Sequence, residues 1–350
     1  MKKITTFDIH GKPIGEGASC WVVGEVSQTH DGSLGNAHKY IDMAADAGAD
    51  AIKFQTHIAH AESSMEEPFR VKFSQQDDTR YAYWKRMEFS KAGWASLVEH
   101  CKEREIVFLS SAFSEEAVDL LDELGMGAWK VASGEVTNPI LLKKMIDTKK
   151  PILLSSGMSS YDELDAAITQ IQEADLPVLL FQCTSKYPPK PEDIGLNMLG
   201  EFRKRYGIPL GLSDHSVTPF PAIAAAALGV HMIEVHITLA DNVFGPDVPV
   251  SLNPQKLRTL VDGVRYVETA MANPVNKNDM AVEMSRMRKI FGRSLTVTRD
   301  LKAGSVLQWD DLSSKKPGYY ILVENIHQVL GKILQRDYQA GEFLKVEDLA

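Results

Sequence analysis

Pro209-Leu-Gly-Leu-Ser-Asp-His215, an alanine-rich segment and then Val230-His-Met-Ile-Glu-Val-His236 follow one another in the later part of the chain. Each half is a short apolar run that stops on a histidine, and residues 221–228 between them read as one helix, so the runs read as two strands joined by a helical crossover. In a parallel βαβ layout the carboxyl ends of the strands are where ligands bind. His215 and His236 then lie side by side at that end, and two neutral imidazoles make a partial shell for a divalent cation. A lone histidine is as readily a hydrogen-bonded core residue; the pair at matching strand ends argues for a ligand role.

Upstream, the same unit repeats. Apolar runs at 20–25, 51–55, 107–111, 128–132, 152–156 and 178–183 are followed by helical patterns at 34–47, 90–104, 115–124, 139–148, 162–173 and 196–206. A helix at 254–271 closes the last unit. Eight strand–helix units in about 255 residues fit a (β/α)8 barrel in number and length, and short apolar runs suit strands buried on both faces. Two connections, 56–89 and 184–195, are longer than a barrel needs, as functional loops are.

The chain thus reads as an α/β protein with an N-terminal hairpin at 1–17, a barrel catalytic domain at 18–272, a polar, methionine-bearing linker at 273–289 and a small β-rich domain at 290–350. Strands are expected in the last at 293–298, 302–307, 331–334 and 339–344, separated by glycine turns. Such a small domain is marginal alone and profits from docking onto something larger.

The 350 residues carry 44% hydrophobic and 24% charged side chains, those of an ordinary globular protein. No apolar run approaches the roughly 18 residues that cross a bilayer, and the start has two lysines with no apolar segment behind them, so neither membrane span nor signal peptide is expected. A net charge of -9 disfavours nucleic acid and anionic membranes as partners. It also requires that any anion site concentrate positive charge locally. Cys20, Cys101 and Cys183 lack metal-finger spacing and read as reduced core residues of a cytoplasmic protein.

On a barrel, chemistry is sought where each strand ends. Those ends carry Glu25, Lys53 with Gln55, Ser110 with Ser111, Lys130 with Ser133 and Glu135, Ser155 with Ser156, Thr184 with Ser185 and Tyr187, Ser213, and Glu234 beside the two histidines. Core packing does not explain so many polar groups. Burying an unpaired ammonium is costly, so Lys53 and Lys130 need anionic partners. Those partners are either Glu25 and Glu135, as structural ion pairs, or a small substrate bearing a phosphate and a carboxylate. His57, His60 and Lys72, in the first long loop, read as solvated, and Asp247 reads as a surface residue after a turn.

Gly24-Glu-Val-Ser-Gln-Thr-His-Asp-Gly32, Lys53-Phe-Gln55, Lys130-Val-Ala-Ser-Gly-Glu135, Leu154-Ser-Ser-Gly-Met158, Gln182-Cys-Thr-Ser-Lys-Tyr-Pro188, Gly211-Leu-Ser-Asp-His215, Glu234-Val-His236 and Gly245-Pro-Asp247 together resemble the sialic acid synthase family. Residues 293–350 resemble that family's antifreeze-like (SAF) domain. The resemblance implies a metal-dependent transferase that condenses phosphoenolpyruvate with an N-acyl amino sugar such as N-acetylmannosamine, giving a nine-carbon 2-keto-3-deoxy sugar acid and phosphate. It implies His215 and His236 as ligands of manganese or magnesium. Lys53, Lys130, Ser133, Ser155, Ser185 and Ser213 match positions around phosphoenolpyruvate, with Ser111 beside them among the substrate-binding strand ends. Glu25, Gln55, Tyr187 and Asp247 match positions facing the sugar or the reacting centre, and Glu25 or Glu135 is placed to stabilise positive charge at C2.

Three departures bear on the acceptor. Thr29-His-Asp-Gly stands where many members have Asn-His-Glu-Gly, and Val235 stands where they have a basic residue. Lys316 stands before Pro-Gly where bacterial members place an arginine that reaches the sugar in the partner subunit's barrel. A lysine lacks the guanidinium's bidentate fork. The acceptor is therefore open between an N-acetylmannosamine type and the diacetamido hexoses of the legionaminic and pseudaminic acid branches. A Schiff-base pyruvate aldolase using Lys53 or Lys130 is the alternative on the same barrel. The resemblance further implies a domain-swapped homodimer.

Overall fold

The computed structural model describes residues 4–350. A hairpin comes first, with β1 (Thr6–Ile9) antiparallel to β2 (Lys12–Gly15). His10 and Gly11 both take positive φ at its tip, the backbone that a two-residue hairpin turn requires.

Eight parallel strands then close into a barrel: β3 (Trp21–Glu25), β4 (Ala51–Thr56), β5 (Val107–Ala112), β6 (Trp129–Val131), β7 (Ile152–Ser155), β8 (Val178–Cys183), β9 (Leu210–Asp214) and β10 (Met232–His236), with β10 paired to both β9 and β3. Almost every residue of these strands is buried, because side chains facing inward fill the barrel and those facing outward pack under helices. The expected (β/α)8 barrel is the fold, and the strands fall where the apolar runs placed them.

The helices start where short polar side chains cap them. Ser33, Ser90, Ser114 and Asn138 each accept from a backbone N–H in the first turn of α1 (Leu34–Asp46), α4 (Lys91–Glu103), α5 (Glu115–Glu123) and α6 (Pro139–Asp147). Ser160 and Glu163 form a capping box on α7 (Tyr161–Glu173). The remaining barrel helices are α8 (Asn197–Tyr206), α9 (Phe220–Ala227) and α10 (Pro254–Ala272). The long connection after β4 is not a featureless loop: it holds α2 (Ala59–Glu62) and α3 (Arg80–Met87), the latter capped by Thr79. Ala59, Tyr83, Trp84 and Met87 form a buried cluster of its own there, joined by Phe69 and Phe73.

The chain divides into two compact units, the second being Asn273–Ala350. The segment expected as a linker is helical, with α11 (Lys277–Glu283) and α12 (Ser285–Phe291). Asn276 caps α11, yet Met280, Val282, Met284 and Met287 are exposed, so no buried apolar stripe marked these helices in the sequence. Beyond them, β11 (Ser294–Val297) pairs antiparallel with β12 (Leu312–Lys315). The other expected strands appear only as single bridges, such as Leu301 to Tyr338 and Val306 to Ile333. This unit's own core includes Leu295, Val297, Leu307, Leu334, Tyr338 and Leu344.

Candidate active site

Strand register sets the first level of the site. His236 on β10 is level with Glu25 on β3, and Glu25 with Lys53 on β4. Gln55 on β4 is level with Ser111 on β5, and Ser111 with Lys130 on β6. Residues two apart on a strand share a face, so Lys53 with Gln55 and Glu234 with His236 point the same way.

Inside the mouth lies a buried quartet of charges. Lys53 Nζ is 2.7 Å from Glu25 Oε2 and 3.8 Å from Glu234 Oε1, while Lys130 Nζ is 3.5 Å from Glu234 Oε1. Lys53 also donates to Ser111 Oγ at 3.3 Å, Lys130 to Ser155 Oγ at 2.6 Å, and Ser213 Oγ to Glu234 at 3.2 Å. The ring of Phe181 faces the Lys130 ammonium at 5.0 Å. The partner of Lys130 is thus Glu234, not Glu135. The Glu135 carboxylate instead accepts from Asn138 at 2.8 Å on the cavity wall. Glu234 is one of the polar strand ends, and its spacing of two from His236 is the sequence signal that it faces inward.

Burial and partners set the charges of the quartet. Burial raises the Glu25 carboxyl, and Lys53 reverses only part of that rise. Burial acts on Glu234 in the same sense, but Lys130 and Lys53 outweigh it and hold this carboxylate below its ordinary value. Burial lowers Lys130; for Lys53 the carboxylates of Glu234 and Glu25 overcome it and raise the ammonium. The two carboxylates therefore divide: Glu234 is the fixed counter-ion, and Glu25 is the group nearer to holding a proton. Lys53 approaches the Glu25 carboxyl at Oε2 and Gln55 donates to Oε1 at 2.8 Å, so both of its oxygens face donors.

The imidazoles of His215 and His236 meet beside this quartet, ring centres 4.9 Å apart and both rings buried. Burial, then His236, pushes His215 down to about 3; burial, then Lys53, pushes His236 down to about 4. Both rings are thus neutral, the form that binds a metal. The Nδ1 atoms of both are buried without a hydrogen-bond partner, which fits a donor pair awaiting a cation. Among the described residues no set of three or more His, Cys, Asp or Glu side chains forms a complete metal shell. A cation here would draw its other ligands from water or substrate oxygens.

A cavity of about 710 Å3 opens above, lined in part by Gln55, Ser133, Glu135, Ser185, Tyr187 and Asp247. The Tyr187 ring lies 4.4 Å from that of His215, and the Arg70 guanidinium lies over the Tyr187 ring at 5.1 Å. Asp247 is not a plain surface residue: Ser27 Oγ at 2.6 Å and the Gln28 N–H at 3.2 Å turn it into the cavity. Gly157 leaves room between the hydroxyls of Ser133 and Ser185, since a Cβ there would lie 2.6 and 2.4 Å from them. Lys316 belongs to the second unit, exposed, with its ammonium 5.3 Å from the Phe291 ring. His57, read as solvated, is buried between Trp84 and Phe113, with ring centres 3.9 and 4.5 Å away. Sequence periodicity gives no signal for it, because Trp84 and Phe113 come from separate segments.

The sequence pattern of the NeuB family matches residues 40–276, and that of the SAF domain matches residues 292–350. N,N'-diacetyllegionaminic acid synthase of Campylobacter jejuni is 32% identical over 330 residues, spanning 93% of this chain and 98% of its own length. N-acetylneuraminate-9-phosphate synthase of Homo sapiens is 33% identical over 328 residues, spanning 92% of this chain and 90% of its own. Among solved structures, the N-acetylneuraminic acid synthetase of Leptospira borgpetersenii in complex with citrate is similar with a TM-score of 0.71 at 26% identity, covering 82% of this chain and 97% of that one.

Proposed function

The chain belongs to the NeuB family, with an SAF domain at its C-terminal end, and from that premise we propose that it condenses phosphoenolpyruvate with an N-acyl amino sugar to a nine-carbon 2-keto-3-deoxy sugar acid and phosphate. The observation that carries this reading is the neutral, unpartnered pair His215 and His236 set against a buried cluster of two lysines and two carboxylates at one end of the barrel. The acceptor is of the N-acetylmannosamine type. A diacetamido hexose is the second reading, favoured by the similarity to an enzyme named for legionaminic acid.

With a proton on Glu25, two ammonium groups face one carboxylate, and the cluster is net positive. An anion site in a chain of charge -9 needs this. Lys53 and Lys130 hold the phosphate and carboxylate, and the hydroxyls of Ser111, Ser133, Ser155, Ser185 and Ser213 take up the remaining oxygens. Gln55, Tyr187 and Asp247 face the sugar. A divalent cation held by His215 and His236 would supply Lewis-acid polarisation of the acceptor's aldehyde.

As C3 of the enol forms its bond to the aldehyde carbon, the Glu25 proton passes to the aldehyde oxygen. The ionised carboxylate then stabilises positive charge at C2. Water adds at C2 and gives its proton back to Glu25. Phosphate leaves with the bridging oxygen, held by the two lysines, and takes the proton of the C2 hydroxyl as that carbon becomes the ketone.

Two copies pair, in this reading, with the SAF domain and Lys316 of one reaching the other's barrel mouth; a monomeric mass at micromolar concentration contradicts that. Three free, buried cysteines suit the cytoplasm, and no helix among the described residues is long and apolar enough to cross a membrane. The test is phosphate release from phosphoenolpyruvate plus amino sugar. Loss with excess chelator and in His236→Ala supports the reading, and turnover unchanged in both contradicts it.

A further inference from the structure

His57 and Glu62 lie outside the chemistry assigned above, yet both are buried on the cavity wall, with side chains only 4% and 7% exposed. The imidazole is clamped flat: its ring is 18° from the plane of Trp84 and 11° from that of Phe113. Its Nδ1 is 2.6 Å from Glu62 Oε1, and its Nε2 is 3.2 Å from Gln55 Oε1. Glu62 is itself fixed, because its other oxygen accepts from the Ile58 N–H at 3.4 Å. Gln55 Oε1 can only accept, so Nε2 is the nitrogen that donates to it, while Nδ1 pairs with the Glu62 carboxyl.

The consequence falls on Gln55. Its Oε1 accepts from His57 and, at 3.0 Å, from Gln28 Nε2, while its Nε2 donates to Glu25 Oε1 at 2.8 Å. With the amide turned over, its NH2 group would face two donors and its oxygen would face a carboxylate. We infer that His57 and Glu62 are a positioning pair: they lock the Gln55 amide so that it donates to Glu25 Oε1, which holds the Glu25 carboxylate with Oε2 turned toward Lys53. In this reading the pair acts through Gln55. The inference rests on the role proposed for Glu25. It also gives the connection after β4 a function, since Glu62 and Trp84 reach the barrel only through that segment.

The two nitrogens of histidine can be separated by substitution. The amide nitrogen of glutamine reaches the place of Nε2, and that of asparagine reaches only the place of Nδ1. His57→Asn and Glu62→Gln are expected to lower kcat by about tenfold to a hundredfold, the scale of a small misplacement in a reacting site. The KM for phosphoenolpyruvate should stay within about twofold, because Lys53 and Lys130 are untouched. His57→Gln should recover most of the kcat that His57→Asn loses. Nitrogen NMR of the Gln55 side-chain amide, assigned with Gln55→Glu, gives a readout apart from turnover: its signal shifts in His57→Asn and returns in His57→Gln. Equal kcat in both His57 variants, or an amide signal unmoved by His57→Asn, overturns the inference. Absence of phosphate release by the parent enzyme with every acceptor would instead refute the condensation itself, and the amide signal would still decide the positioning.

Discussion

Replacing Glu234 by glutamine keeps the volume of the side chain and removes one charge from the buried quartet. At an effective dielectric of about 20, unit charges at 3.5 and 3.8 Å attract by about 4–5 kcal/mol each. That gross attraction is offset by the cost of having buried the carboxylate. The net cost of leaving its partners uncompensated is about 3–5 kcal/mol, the scale found when one member of a buried ion pair is removed. Glu234→Gln should therefore lose that much stability in phosphate-free buffer. Adding inorganic phosphate should return part of it, because the two ammonium groups then face one fewer competing carboxylate. A tenfold gain in phosphate affinity corresponds to about 1.4 kcal/mol of extra stabilisation at saturation. Urea unfolding followed by tryptophan fluorescence reads this in a Trp309→Phe background, where the remaining tryptophans all lie in the barrel unit. A loss below about 1 kcal/mol together with an unchanged phosphate increment would refute the electrostatic reasoning, since both follow from one low-dielectric cluster.

Removing either imidazole should weaken Mn2+ binding more than about tenfold, read by calorimetry on His215→Ala and His236→Ala; unchanged affinity places the cation elsewhere. Gly211→Ala should cost about 1–3 kcal/mol or more by overpacking, since its Cβ would lie 2.6 Å from the Phe181 ring and 2.8 Å from the Met232 carbonyl oxygen; parental stability in urea would contradict this. Burial raises Asp77, but hydrogen bonds from Arg86 and Ser74 outweigh it and hold the carboxyl below its ordinary value. A carboxyl depressed in the folded state contributes stability above its unfolded value near pH 4, and that contribution is lost as pH falls through the folded value. Hydrogen exchange over residues 74–87 should accordingly rise as pH drops below about 4, after correction for intrinsic rates, and Arg86→Ala should raise it already at pH 7; protection equal to the parent's in Arg86→Ala would show that the segment is held by its aromatic cluster instead.

The barrel was legible because each of its strands is a short apolar run stopping on a polar residue, and each helix after it repeats at the helical period. His215 and His236 stood out for the same reason. The partner of Lys130 did not, because Glu135 is close in sequence whereas Glu234 comes from the far side of a closed sheet. His57 was hidden for a related reason: one imidazole is held by Glu62, Trp84 and Phe113, and only folding brings those together. Asp247 lies in a turn, and its inward aim depends on Ser27 and Gln28, more than two hundred residues earlier. In the second unit, irregular backbone bridged at single residues replaces most of the expected strands, because glycine turns punctuate both kinds of chain alike.

Condensation with C–O cleavage is decided by phosphoenolpyruvate carrying heavy oxygen in its C–O–P bridge, incubated with the enzyme, Mn2+ and a panel of 2-acetamido and 2,4-diacetamido hexoses. One nine-carbon keto acid is expected by mass spectrometry, formed in step with phosphate that carries the label. Label left in the organic product, or no acceptor-dependent phosphate together with a borohydride-trapped pyruvate adduct on Lys53 or Lys130, would contradict it.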